Sequence, residues 1–235
     1  MVSAAWFRDA ILRVSDVVAA SIGILLLWPI MLVVAVILRA TGEGTVLFVQ
    51  ERIGRGEHAF RLFKFATMVK GAAGMGAGVI TLPGDARVLP FGKFLRKTKL
   101  DELPQLFNVL NGDTSLVGPR PQPAQYYYAY DAETRTAIAQ VRPGITGIGS
   151  LLFRNEEALF CMVADPVAFD HEAIVPYKGA LERWYVENRS VSLYWRLVLA
   201  TMLSVVLPRF SAYRIFQSRV PAMPARLRNV YLSKR

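Results

Sequence analysis

Two adjacent carboxylates, Asp101 and Glu102, follow a run of cations, Arg96, Lys97 and Lys99. Asp101 is a natural helix N-cap. It places Glu102, Leu103 and Pro104 in the first turn, where proline is tolerated because its missing N–H would be unpaired anyway. The helix dipole and the neighbouring cations both favour the ionised carboxylate. Such a carboxylate suits attack on phosphorus, or the binding of a divalent cation. The same residues also suit plain N-capping with surface charges, and this stretch alone does not choose. Two stiff turns add anion-binding candidates. Leu116–Pro121 (LVGPRP) fixes Arg120 between prolines. Val141–Gly147 (VRPGITG) offers Arg142, the Gly144 turn and the Thr146 hydroxyl. Arginine suits bidentate phosphate contacts, and rigid prolines limit the entropy lost on binding. Both stretches also read as ordinary turns.

The elements that must position these residues can be read from periodicity. Leu103, Leu106, Phe107 and Leu110 fall at helical spacing and are predicted to face the core, with Asn111-Gly112 as the stop. Pro90 opens a short basic helix carrying Lys93, Arg96 and Lys97. Thr45–Arg52 and Ala59–Met68 are β-branched or aromatic runs around a turn at residues 53–58, which predicts a hairpin and places Lys64 on its second strand. Gly71–Gly78 (GAAGMGAG) lacks the following Lys-Ser/Thr of a nucleotide-binding loop and reads as a mobile linker. Tyr126, Tyr127, Tyr128 and Tyr130 read as packing aromatics of a helix running to about Gln140.

Composition narrows the setting. Of 235 residues, 53% are hydrophobic and 20% charged, with a net charge of +10. Mean hydropathy is +0.31. Disorder, collagen and a disulfide scaffold are excluded. The single cysteine, Cys161, fits a reducing compartment and reads as a small buried apolar residue. Two histidines exclude a histidine-rich metal site. Val17–Leu38 is uncharged over 22 residues. As a straight helix it would cover about 33 Å, against a bilayer core of about 30 Å. Pro29 introduces a bend. Basic residues on both flanks leave the positive-inside bias without a direction. Spanning and re-entrant readings stay open on these features. Leu193–Leu207 is too short to span. With the tail Pro208–Arg235, which holds seven basic and no acidic residues, it suits a membrane interface with anionic headgroups. A solvated tail is the plainer reading. Nucleic acid is disfavoured, because no zinc pattern or RNP-like strand accompanies the charge.

Together these pieces resemble the bacterial monotopic phosphoglycosyl transferases, also called bacterial sugar transferases, over nearly the whole chain. The resemblance rests on Gln50–Gly54, Lys64–Met68, Leu95-Arg96, Leu100–Leu106 (LDELPQL), Asn108–Leu110, Gly112-Asp113, Ser115–Pro121 and Arg142–Gly147. Phe153–Glu157 and Trp184–Ser190 look like a short, single-domain branch. The resemblance implies an α+β, mostly helical fold. Residues 1–40 would form a re-entrant membrane hairpin bent at Pro29, and residues 41–235 a cytosolic catalytic domain with a small β-hairpin and interfacial helices. It implies transfer of a sugar-1-phosphate from a UDP-sugar to polyprenyl (undecaprenyl) phosphate, releasing UMP, at the bacterial inner membrane. Asp101 would be the covalent nucleophile and Glu102 its partner in binding Mg²⁺ or handling protons. Arg96 and Arg120 would lie near the phosphates. Lys64 matches a family lysine, and the Arg142, Gly144 and Thr146 loop would sit near the nucleotide. A homodimer is left open. Three positions depart from the usual pattern: Ala66 for an arginine, Trp28 before Pro29 for a serine, and Thr114 for a methionine. A membrane-anchored scaffold or binding protein of the same fold is the rival reading.

Overall fold

The computed structural model describes residues 4–75, 84–154, 156–207 and 210–233. The end of the Gly/Ala linker, Asn155, and Pro208, Arg209, Lys234 and Arg235 of the tail lie outside the described residues. The chain divides into two compact units. The first comprises residues 1–52 and 59–116, the second residues 53–58 and 117–235.

In the first unit, helix α1 (Ala4–Thr41) runs through Pro29 as one continuous helix of 38 residues. Leu12, Asp16, Ala20, Val34 and Leu38 are buried along one stripe of it. Their spacings of four residues, and of fourteen between Ala20 and Val34, keep them on a single helix face. Leu25, Leu26, Trp28, Val33 and Val36 on the other faces are exposed. Strands β1 (Leu47–Ile53) and β2 (Ala59–Phe65) pair as the predicted hairpin. Helix α2 (Pro90–Thr98) begins at its proline and ends where Lys99 turns left-handed, at φ 62°. A 3₁₀ turn (Leu100–Glu102) leads to α3 (Gln105–Asn111), closed by Gly112 at φ 90°. Val34 and Leu38 of α1, Phe65 of β2 and Leu95 of α2 form the core here, with Leu103 packed on it.

Two expectations need correction in this unit. Asp101 caps nothing: it lies in the 3₁₀ turn, and α3 starts after Pro104. A cap at 101 would bond the N–H of residue 103 or 104. The Leu103 N–H is taken by Leu100 O at 3.2 Å, and Pro104 has none. The buried residues of α3 are Gln105, Asn108 and Val109, while Phe107 is exposed. The helix packs on both α1 and β2, so the predicted leucine stripe describes only part of its covered surface.

Strand β3 (Ser115–Val117) carries the chain into the second unit and pairs with β4 (Gly144–Thr146). Around it come α4 (Ala124–Tyr127), α5 (Ala132–Ile138), α6 (Ile148–Leu152), α7 (Glu157–Phe160) and α8 (Pro166–Phe169). The long α9 (Val175–Glu187) packs on α5 and α6, followed by α10 (Val191–Val206), α11 (Ala212–Phe216) and α12 (Ala225–Ser233). The predicted tyrosine helix is two helices. Asp131 caps α5 by accepting from Thr134 N at 2.7 Å, which starts a new element after the tyrosines. Tyr127 and Tyr130 are core residues, whereas Tyr128 is exposed. Cys161 is exposed just beyond α7, contrary to the buried reading.

Candidate active site

The first unit brings four of the predicted site residues together: Lys64, Arg96, Asp101 and Glu102. Strand β2 carries Lys64, whose Nζ donates to Glu102 Oε1 at 3.0 Å. The 3₁₀ turn sets Asp101 inward, 9% exposed, with Oδ1 buried and free of any hydrogen bond among the described residues. What aims it is Lys99, a non-glycine residue in the left-handed region that ends α2 one residue earlier than Leu100. Such strain costs about 1–3 kcal/mol and collects at functional sites.

The electrostatics correct one expectation. Burial, and then the charge of Glu102, push the Asp101 carboxyl above its ordinary value, against Lys64, Lys99 and Arg96, which pull it down. Enclosure outweighs the cations. Asp101 is therefore a poorly solvated, more basic carboxylate than its neighbours in sequence suggest.

As a cation site the pair is sparse. Among the described residues no cluster of three metal-binding side chains exists. Mg²⁺ is commonly held by one or two carboxylates and completed by water and substrate phosphates. The orphaned, buried Asp101 Oδ1 next to Glu102 fits that donor set.

The second unit holds the other four: Arg120, Arg142, Gly144 and Thr146. Gly118 N donates to Thr146 O at 2.9 Å and Gly144 N to Pro119 O at 2.8 Å, which ties the two arginine turns into one ladder. Added Cβ atoms on Gly118 or Gly144 would collide with the facing backbone, so glycine permits this approach. The Thr146 hydroxyl is 2.8 Å from that of Thr201 on α10. Thr201 in turn donates to Leu197 O, so the Thr146 proton goes to Thr201 and only its lone pairs remain for a ligand.

Several supporting residues escaped the sequence reading. Asn108, fully buried, accepts from Phe63 N and donates to Arg61 O and Asp113, which locks α3 to β2. Asp16 accepts from Ser115 Oγ at 2.9 Å and Leu116 N at 2.8 Å. Arg13 donates to the carbonyls of Val109 and Leu110 at the end of α3. Glu182 is buried in α9 beside Arg120 N. A signal for it existed: it follows Leu181 and lies three residues before Tyr185, on the apolar face of its helix.

Comparison with known proteins adds an independent line. Residues 7–208 match the family described as bacterial sugar transferase. The UDP-N-acetylgalactosamine-undecaprenyl-phosphate N-acetylgalactosaminephosphotransferase of Aeromonas hydrophila is 43% identical over 137 residues, 57% of this chain and 32% of that protein. The UDP-glucose:undecaprenyl-phosphate glucose-1-phosphate transferase of Xanthomonas campestris pv. campestris is 42% identical over 195 residues, 81% of this chain and 38% of its own. The chain thus spans roughly a third of those two relatives. The exopolysaccharide production protein ExoY of Rhizobium meliloti is 33% identical over 213 residues, 86% of this chain and 87% of that protein.

Proposed function

The chain belongs to the bacterial sugar transferase family, and from that premise we propose that it moves a sugar-1-phosphate from a UDP-sugar to undecaprenyl phosphate, releasing UMP. The observation that carries the reading is the buried Asp101 Oδ1 without a hydrogen bond, beside the Lys64–Glu102 pair. In the first half, an Asp101 oxygen forms a bond to the sugar-bearing phosphorus, and the P–O bond to UMP breaks with its electron pair leaving on UMP. In the second half, the acceptor phosphate oxygen attacks the same phosphorus, and the Asp101 carboxylate is regenerated. A poorly solvated, more basic carboxylate is the better nucleophile once ionised. Asp101 and Glu102 would hold Mg²⁺, which supplies neutralisation of diphosphate charge. Lys64 holds Glu102 in place through their 3.0 Å ion pair. Arg96 adds positive charge near Asp101, and Arg120 and Arg142 take phosphate-facing roles from their own turns.

A monotopic placement follows the same reading. The stripe from Leu12 to Leu38 is covered by the unit that holds Asp101. A helix crossing the bilayer along that stripe would draw the unit's charged groups into hydrocarbon. Re-entry at Pro29, with the unit on the cytosolic face, avoids this. Helix α10 and the basic tail then lie at the interface. Labelling single cysteines at residues 3 and 42 in intact cells, with the exposed Cys161 replaced, tests it. Access from opposite faces excludes re-entry.

The activity test is a screen for UMP release by the purified protein across UDP-sugars, with undecaprenyl phosphate and Mg²⁺. One UDP-sugar alone should also leave a sugar-phosphate mass increment on Asp101. Silence with every donor returns the chain to the scaffold reading.

A further inference from the structure

Glu182 is 4% exposed, and no step of the transfer uses it. Its Oε1 lies 3.5 Å from Arg120 N, and its Oε2 is buried without a hydrogen-bond partner among the described residues. The carboxyl also fills the corner at the start of α6. A Cβ on Gly149 would collide with Oε1, and one on Gly147 would stand 3.7 Å from Oε2. Gly147 itself packs on Gly118 O. One side chain on α9 therefore meets both sides of the ladder, the turn holding Arg120 and the corner that follows β4.

We infer that Glu182 is a positioning residue: its neutral carboxyl wedges between the Gly118–Arg120 turn and the Gly147–Gly149 corner, and fixes the direction in which Arg120 leaves its turn. This rests on the phosphate-facing role of Arg120 proposed above. Two observations make the neutral form the native one. Burial pushes the acid up to about 8, with the Arg120 N–H and the charges of Lys178 and Arg120 opposing. The buried Oε2, lacking a partner, is far cheaper to enclose uncharged. Tyr130 is likewise raised, by burial first and then by Glu182, so it stays protonated and adds no charge beside Glu182. Ionisation above about pH 8 thus puts an enclosed charge into the corner.

The test uses the full chain in detergent and three forms: wild type, Glu182→Gln and Glu182→Ala. Hydrogen exchange of segments 117–121 and 144–149, corrected for intrinsic rate, is followed at about pH 6.5 and about pH 9. In the wild type, exchange should accelerate about tenfold across that range, and Glu182→Gln should abolish the acceleration while keeping protection. Glu182→Ala should exchange about tenfold faster at both pH values. Turnover should follow: Glu182→Gln keeps kcat at neutral pH and moves the alkaline limb upward. Glu182→Ala should lose kcat about tenfold with a smaller change in donor KM. Glu182→Ala exchanging and turning over within about twofold of wild type would overturn the inference. So would a Glu182→Gln form as impaired as Glu182→Ala, since that assigns the work to a charge. If Glu182→Ala does not fold, the pH response of Glu182→Gln decides alone, and a response equal to wild type overturns it. Absent UMP release by the wild type sinks the proposed function, while the exchange arm still decides this point.

Discussion

At the level of single residues, the site is a contest between enclosure and charge. Because burial raises Asp101 above its ordinary 3.8, the folded state holds a proton that the unfolded chain releases. The sign follows: stability is greatest below the unfolded value and falls as pH rises through the raised one. Asp101→Asn removes that loss. It should abolish UMP release and raise the thermal midpoint at neutral pH, by about 1–3 kcal/mol of stability. A midpoint below wild type would contradict the enclosed-charge account. UMP release should also rise with pH through the raised value, since the ionised form attacks. Lys64→Met removes the first of the cations that lower Asp101 and leaves Glu102 without its 3.0 Å partner. It should lower turnover and move the acid limb of the pH–rate profile upward. The adjacency of Asp101 and Glu102 is a sequence property and was legible. The direction of the Asp101 shift was not, because it depends on what closes over the turn, and the left-handed Lys99 gives no signal in its residue type.

At the level of elements, buried polar side chains do the fastening that apolar periodicity does not reveal. Asp16→Ala would strand Ser115 Oγ and Leu116 N. The cost should be about 1–3 kcal/mol, read as a lower unfolding midpoint in detergent, with Asp16→Asn milder because it keeps an acceptor. Asn108→Ala removes the tie between α3 and β2 and should be at least as damaging. Pro29→Leu restores a backbone donor in α1, and should shift cysteine accessibility toward a crossing helix, since an interior proline costs about 3 kcal/mol. Starts and stops marked by Pro90 and Gly112 were readable, because these residues act through their own backbone. The missing cap at Asp101 turned on Pro104, whose absent N–H leaves Leu103 as the one remaining donor, and Leu100 O takes that. The break after Tyr127 turned on Asp131, an ordinary N-cap hidden behind a run of aromatics.

At the level of the whole molecule, apolar surface and positive charge face outward together. Trp195, Leu199, Met202 and Val206 form an exposed stripe on α10, while Leu193, Tyr194, Leu197 and Ala200 are buried beneath. Deleting α10 would therefore open the core, and point changes are the cleaner probe. Leu199→Ser with Met202→Ser should weaken binding to neutral and anionic vesicles alike. Arg214→Gln with Arg219→Gln should weaken only the anionic case, and salt should erase the difference. Equal binding by all forms in flotation assays would remove α10 and the tail from the membrane contact. Arg226 is a poor choice for this test, since it pairs with Glu172 at 2.7 Å. The basic, oily character was visible in composition alone. The division into two units was not, because it depends on which segments pack together across the chain.

The clasp between Asp16 and Ser115 joins residues 99 positions apart. A ribosome adding about 5–20 residues per second needs roughly 5–20 s to make the second after the first. For that interval α1 has emerged with the partners of Arg13 and Asp16 still unmade. Insertion machinery that read Val17–Leu38, 22 residues without a charge, as a crossing segment would leave Arg13 and Asp16 at its N-terminal edge. The two side chains that later bolt the helix to α3 and β3 thus wait at the edge of the apolar run, and the bolt closes only if Val109, Leu110, Ser115 and Leu116 reach the face on which Arg13 and Asp16 were left.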